Sequence, residues 1–180
     1  VGRWFLSKDI RDYGNGNPGS ANVFRAGSIK IGLVALSLDI AKGVPFVFIA
    51  HYRFGLPELS VIIIGLSAIL GHAFSPFLRF KGGKAIAVTF GVLLAFPQHQ
   101  LFLLFTACMV VAFLCIEPDA WIAMFAPAGS VAYLTISAAS FTAILFMLCL
   151  LAVFAIKQFD DLKTMPRLRL KPVRWYQSRS

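Results

Sequence analysis

The residues best suited to chemistry in this sequence gather in two short stretches. The first, residues 12–25, reads DYGNGNPGSANVFR. Gly14, Gly16 and Gly19 permit positive φ and a close approach of backbone to a ligand, and Pro18 restricts the turn. Consecutive exposed N–H groups in such a loop form a concave seat for an anion. Asn15, Asn17, Ser20 and Asn22 add neutral hydrogen-bonding groups, and Arg25 adds a planar fork suited to phosphate oxygens. The second stretch, residues 71–85, reads GHAFSPFLRFKGGKA. Lys81 and Lys84 flank Gly82 and Gly83, so glycine amides and two ammonium groups make a second anion cradle. It is not a nucleotide loop, because GxxxxGK[ST] is absent and no GxGxxG follows a strand. Each stretch alone also reads as an ordinary turn-rich or basic loop. The two together point to phosphate.

Other polar residues carry less. His72, in GHAFSP, is a supporting candidate for the site, with a packing or hydrogen-bonding role left open. Asp39 and Lys42 interrupt an apolar run at i, i+3 and meet on one helical face. Ionisable residues in a membrane are costly and either paired or functional, so they read as a packing pair or as substrate contacts. His51 and His99 receive no role. Cys108, Cys115 and Cys149 lie inside apolar runs without metal-type spacing and read as small apolar residues.

The elements that must position these loops are apolar. Of 180 residues, 58% are hydrophobic and 14% charged, and 18 are phenylalanine. A soluble domain carries about a quarter charged residues, so the composition indicates an integral membrane protein. The net charge of +9 comes from 17 Lys and Arg against 8 Asp and Glu. These cations flank apolar segments instead of forming one basic stripe, which excludes a nucleic-acid partner. Six runs recur: Ile29–Ala50, Leu59–Leu78, Ala85–Phe96, Leu101–Ile116, Trp121–Ser137 and Phe141–Ile156. No strict apolar–polar alternation supports a barrel. Several runs are shorter than the roughly 20 residues a spanning helix needs, and Ala85–Phe96 is the least secure. Arg3, Lys8, Arg11, Arg25, Arg79, Lys81, Lys84 and the basic tail occupy one set of loops. The alternate loops carry only Arg53. The positive-inside rule places the rich set, and both glycine loops, in the cytoplasm. The tail, 157–180, ends in many cations with Trp175 and Tyr176, which suits anionic lipid.

These residues resemble a known family. YGNGNPGSANVFRAG is similar to its first motif, usually close to GSGNPGATNVLR. LDIAKG, residues 38–43, resembles the segment that follows, and GHAFSPFLRFKGGKA resembles the second motif, usually GHxFPxFLxFKGGKG. The family is the bacterial acyl-phosphate:glycerol-3-phosphate acyltransferase of the PlsY type, and the match is clear over residues 1–96. It implies a seven-helix inner-membrane protein, with one helix preceding Val1 and six in this chain. It also implies transfer of a fatty acyl group from acyl phosphate to glycerol 3-phosphate, without metal, cofactor or obligate protein partner. Asn15 stands where the family has Ser, Ala21 where it has Thr, and Ala85 where it has the last Gly; Val88 stands near a usual Thr. The Arg-x-x-Ser stretch of the third motif is replaced by CIEPDAW, and the usual C-terminal His and Asn lack counterparts in IKQFDDLKTMPRLRL.

The expectation is therefore an all-α, polytopic membrane bundle with six transmembrane helices, one domain over 1–180, bound to membrane lipids. Arg25, Lys81, Lys84 and His72 are the catalytic candidates. Asn17, Gly19, Ser20, Asn22, Gly82 and Gly83 are the substrate-binding candidates, and the substrates are acyl phosphate and glycerol 3-phosphate. A non-catalytic paralogue, or a membrane binder or transporter of a phosphorylated lipid, is the alternative.

Overall fold

The computed structural model describes residues 5–14 and 16–168. It is mostly helical, and the chain divides into two compact units, residues 1–102 and 103–180. Asn15, residues 1–4 and residues 169–180 lie outside the described residues, and with them Arg3 and the second half of the basic tail, Trp175 and Tyr176 included.

In the first unit, α1 (Ser20–Arg25) leads into α2 (Ile29–Ala41). Ser28 caps α2, its Oγ accepting the Ile31 N–H at 3.2 Å. The helix stops at Lys42–Gly43, and α3 (Val44–Phe48) begins with Pro45 in its first turn. Proline has no N–H to bond back, and its ring crowds the carbonyl four residues earlier. The first apolar run is therefore a broken helix, continued by a π-turn at Ile49–Arg53. After Pro57, α4 (Glu58–Ala73) is one unbroken helix. The stretches Ile29–Arg53 and Glu58–Leu78, 25 and 21 residues, are long and apolar enough to cross a membrane.

The third run forms α5 (Ile86–Ala95). At ten residues it is about 15 Å long, half the roughly 30 Å of a hydrocarbon core. Pro97 ends it by driving Phe96 into extended backbone. This short helix is the hub of the unit, packed by α2, α3 and α4. Val88, Val92 and Leu93 are fully buried, and they share a core with Val47, Val61 and Ile69. Close backbone approach fixes the junction. A Cβ on Gly91 would strike the Ile40 carbonyl, and one on Gly43 would strike the Val88 carbonyl. Small residues at such crossings let helices pack through backbone. Lys42 is thus held between two contacts that no side chain can loosen.

The second unit starts within α6 (His99–Cys115), which leads through β1 (Ile116–Glu117) into α7 (Asp119–Ile136), and α7 packs against α8 (Phe141–Lys157). Phe105, Phe146, Met147, Leu150 and Phe154 fill its core. Phe105 and Phe154 meet edge-on at 6.4 Å between centroids. After α8 the chain turns back at Asp161–Lys163, and β2 (Arg167–Leu168) pairs antiparallel with β1. The Trp121 indole N–H donates to the Thr164 carbonyl at 2.7 Å, tying this return to the start of α7. The three cysteines are free thiols.

The helices are also apolar outside. On α2, Ile29, Leu33, Val34 and Leu38 are exposed, and on α8, Phe141, Leu148 and Ile156. A helix that is hydrophobic on all faces needs either a large protein core or lipid around it.

Candidate functional site

The first loop begins with a 3-10 turn at Ile10–Asp12, capped by Asp9, whose carboxylate accepts the Arg11 N–H at 3.1 Å. The same carboxylate accepts Arg11 Nε at 3.0 Å and Nη2 at 2.7 Å. This hydrogen bonding, and then the charge of Asp9, raises the Arg11 pKa. Gly14 and Gly16 have φ of +59° and +72°. Gly19 does not share that conformation: at φ −101° it is extended and caps α1. Its glycine character is not a backbone requirement, in contrast to the expectation of positive φ.

Asn22 is 1% exposed and serves as the clamp of this loop. Its Nδ2 donates to the Asn17 carbonyl at 2.8 Å, and its Oδ1 accepts Arg25 Nη1 at 3.2 Å. One amide thus holds the loop backbone with one end and the guanidinium with the other. Gly14 lies against both side chains, because a Cβ there would strike Arg25 and Asn22. Lys8 donates to the Ala26 carbonyl at 3.2 Å, fastening the end of α1. Arg25 itself remains exposed.

The second loop is packed more tightly. After the 3-10 turn Pro76–Leu78, Arg79 and Phe80 both adopt left-handed conformations. The Phe80 N–H returns to the Ser75 carbonyl at 2.9 Å. Gly82 and Gly83 are buried. A Cβ on Gly82 would meet the His72 carbonyl and the Ala73 carbonyl, and one on Gly83 would meet His72 Nε2. The glycine pair therefore lets the loop lie directly on the end of α4. Lys81, before it, is exposed, and Lys84, after it, is half-buried. Ala85 enters α5 in a left-handed conformation, φ +64°. Its carbonyl accepts the Thr89 hydroxyl at 2.9 Å.

The two loops contribute to two adjoining clefts. One, of about 520 Å³, is walled by Pro18, Gly19 and Ser20 on one side and by Leu38, Asp39 and Lys42 on the other. The other, of about 420 Å³, has His72, Ser75 and Gly83 in its wall. Pro18, Asp39 and Lys42 belong to both. Lys42 Nζ is 2.7 Å from Asp39 Oδ1, and His72 Nδ1 is 4.0 Å from the same oxygen. Among the described residues, no group of three His, Cys, Asp or Glu converges as a metal ligand set would.

Gly19, Ser20, His72 and Gly83 thus line the clefts, while Asn17, Asn22 and Arg25 form the clamped loop behind them. Lys81, Gly82 and Lys84 belong to the second loop but not to the described lining of either cleft. Asp39 and Lys42, read from the sequence as either a packing pair or substrate contacts, line both clefts, and Ser75, which had no assigned role, lines the second. A charged pair at i, i+3 inside an apolar run is the sequence signal that marks the first two.

The chain matches the family described as Glycerol-3-phosphate acyltransferase over residues 1–166. It belongs to the glycerol-3-phosphate acyltransferase family. The family match continues well past residue 96, where the recognisable motifs end. A glycerol-3-phosphate acyltransferase of Streptococcus mutans serotype c is 42% identical over 105 residues, 58% of this chain and 49% of that protein. One from Streptococcus pyogenes serotype M5 is 40% identical over 114 residues, 63% and 53% of the two chains. The chain spans about half the length of these curated relatives. Among solved structures it is similar to PlsY, an integral membrane glycerol 3-phosphate acyltransferase. Against the glycerol 3-phosphate form the TM-score is 0.77 at 26% identity, covering 89% of this chain and 80% of that one. Against the lysophosphatidic acid form it is 0.72, covering 82% and 75%. With apolar helices lined by exposed Leu, Ile and Phe, this acyltransferase relative is a membrane protein.

Proposed function

We propose that the chain transfers an acyl group from acyl phosphate to the hydroxyl of glycerol 3-phosphate, giving 1-acylglycerol 3-phosphate and inorganic phosphate. The observation that carries this reading is the meeting of both glycine loops at clefts that share Pro18, Asp39 and Lys42. The acceptor oxygen bonds to the acyl carbonyl carbon, the bond from that carbon to the phosphate oxygen breaks, and the hydroxyl proton passes to a phosphate. A phosphate leaving group needs little covalent help, so position and charge do most of the catalysis. Arg25, with Lys81 and Lys84, supplies the positive charge, and Asn22 holds the Arg25 guanidinium in line. Gly19 and Ser20, beside Asn17, and Gly83, beside Gly82, form the walls against which phosphate oxygens rest. His72 orients the second cleft.

The same reading gives six membrane-spanning segments in one domain, with the glycine loops and the tail on the cytoplasmic face of the bacterial inner membrane. The segregation of Lys and Arg into alternate loops supports that topology, and a family match that runs through both compact units supports the single domain. The short α5 completes its crossing, in this reading, through the flanking loop and local thinning of the bilayer.

The test is an assay of the purified full chain with glycerol 3-phosphate and either acyl phosphate or acyl-CoA. Product from acyl phosphate alone is expected. Product from acyl-CoA alone would overturn the donor, and no product from well-folded protein with either donor would leave a binding protein.

A further inference from the structure

The junction of the two clefts is occupied by a residue outside both glycine loops. We propose that Lys42 is a phosphate-contacting residue of this site, with Asp39 as its positioning residue; this rests on the acyltransferase reading above. Among the described residues lining the two clefts, Lys42 is the single lysine or arginine, and it lines both. Arg25, Lys81 and Lys84 do not line either. An anion in one cleft, or an anion moving between them, meets the Lys42 ammonium first.

The pair is also built unevenly. The Lys42 side chain is 58% exposed, while that of Asp39 is 12% exposed. Here the carboxylate is withdrawn and the ammonium stays at the cleft surface. The 2.7 Å bond to Asp39 uses one of three ammonium N–H donors, and two remain for phosphate oxygens. Asp39 thus fixes the direction of a side chain that otherwise rotates freely.

The mount is rigid as well. Lys42 sits in the break between α2 and α3, next to Gly43. The backbone on both sides is pressed against α5 through the Ile40–Gly91 and Gly43–Val88 contacts. A binding group is most effective when its support is locked by packing. On its other flank Asp39 faces His72 Nδ1 at 4.0 Å, so the same carboxylate stands between the lysine and the histidine of the second cleft.

The experiment uses four forms of the full chain: wild type, Lys42→Met, Asp39→Asn, and the double variant Asp39→Asn/Lys42→Met. Acyl transfer is measured at varied glycerol 3-phosphate and varied acyl phosphate, with thermal unfolding as the check on folding. Lys42→Met should lower kcat/KM about tenfold to a hundredfold. Asp39→Asn should lose less, because the lysine remains but loses its orientation. The double variant, which leaves no unpaired charge, should stay as slow as Lys42→Met. Recovery of wild-type rates in the double variant would show a packing pair and overturn the proposal, as would a Lys42→Met enzyme within twofold of wild type. Should a methionine variant fail to fold, Lys42→Gln, at this exposed position, decides by the same comparison. A second readout separates this proposal from the acyltransferase reading. Glycerol 3-phosphate should raise the unfolding temperature of wild type and not of Lys42→Met. If wild type shows no turnover, the acyltransferase reading fails, and the thermal shift still decides Lys42. An equal shift in both forms, or none in wild type, overturns it.

Discussion

Gly14 and Gly82 each belong to one of the two glycine loops, yet each makes room for something different. At Gly14 the space is taken by side chains, the Arg25 guanidinium and the Asn22 amide. At Gly82 it is taken by backbone, the carbonyls at the end of α4. A side chain displaced by a methyl group finds another rotamer, at the cost of its own position. A helix end does not move without its core. The first loop therefore stores the placement of a charged group, and the second stores the attachment of the loop to the scaffold. Glycine beside a cation suggests an anion seat in both cases, but in the second loop packing alone already demands the glycines.

The sharpest test of this contrast is at Gly82. Gly82→Ala should cost about 3 kcal/mol, because overpacking against backbone relaxes poorly, and should appear as a large fall in unfolding temperature in detergent. Gly19→Ala is the control: Gly19 has ordinary φ and nothing within 4 Å of its missing Cβ. Its stability should stay within about 0.5 kcal/mol of wild type. Any loss of activity in that variant then reports on ligand and not on fold. Equal unfolding temperatures for the two variants would erase the distinction between the loops.

The side-chain half of the comparison rests on Arg25 and Asn22. Arg25→Lys keeps the charge but loses the two-pronged geometry and the bond to Asn22, and should lower kcat/KM about tenfold to a hundredfold. Asn22→Ala removes the bond to the Asn17 carbonyl and the bond to the guanidinium together. If Asn22 acts through Arg25, the double variant should be hardly slower than the worse single variant. Losses that multiply would give Asn22 a separate role. A silent Arg25→Lys would leave Arg25 a topology charge.

Hydropathy made most of the scaffold readable, because apolar runs in this chain are long and the loops between them polar. The expected runs 101–116, 121–137 and 141–156 correspond to helices His99–Cys115, Asp119–Ile136 and Phe141–Lys157. Run one was readable as interrupted, but its break at Lys42–Gly43 follows from Pro45 together with the glycine contacts to α5, and those contacts have no sequence period. The β1–β2 pairing and the Trp121–Thr164 bond escaped for a related reason: two-residue strands far apart in the chain leave no pattern. Loop composition exposed Ser20, Gly83 and His72 as candidates. That Asp39 and His72 approach one another was not legible, since neither helix alone says which of its faces meets the other.

The smallest expected effect is at Ala85, where the chain departs from the glycine usual at the end of the second motif. Ala85 is 1% exposed and left-handed, with φ +64°. For a residue with a Cβ this conformation costs roughly 1–2 kcal/mol. Ala85→Gly removes that strain. It also gives the unfolded chain freedom worth about 0.4–1 kcal/mol and deletes a buried methyl group worth about 0.8 kcal/mol. These contributions nearly cancel, so the unfolding temperature should change by no more than about 2 °C, using the shift of about 2–4 °C per kcal/mol expected at this size. Ala85→Val should behave differently, because a β-branched side chain is poorly suited to the left-handed region and has no room in a buried turn. It should destabilise by about 2 kcal/mol or more and pull on the Thr89 hydroxyl, which is bonded to the Ala85 carbonyl. A valine variant as stable as wild type would mean that the turn into α5 is not left-handed. A large gain for the glycine variant would mean that the methyl group contributes nothing to packing. With both outcomes as expected, the departure from the family's glycine is a tolerated exchange of strain for burial at the edge of the site, and leaves the second loop's hold on α4 unchanged.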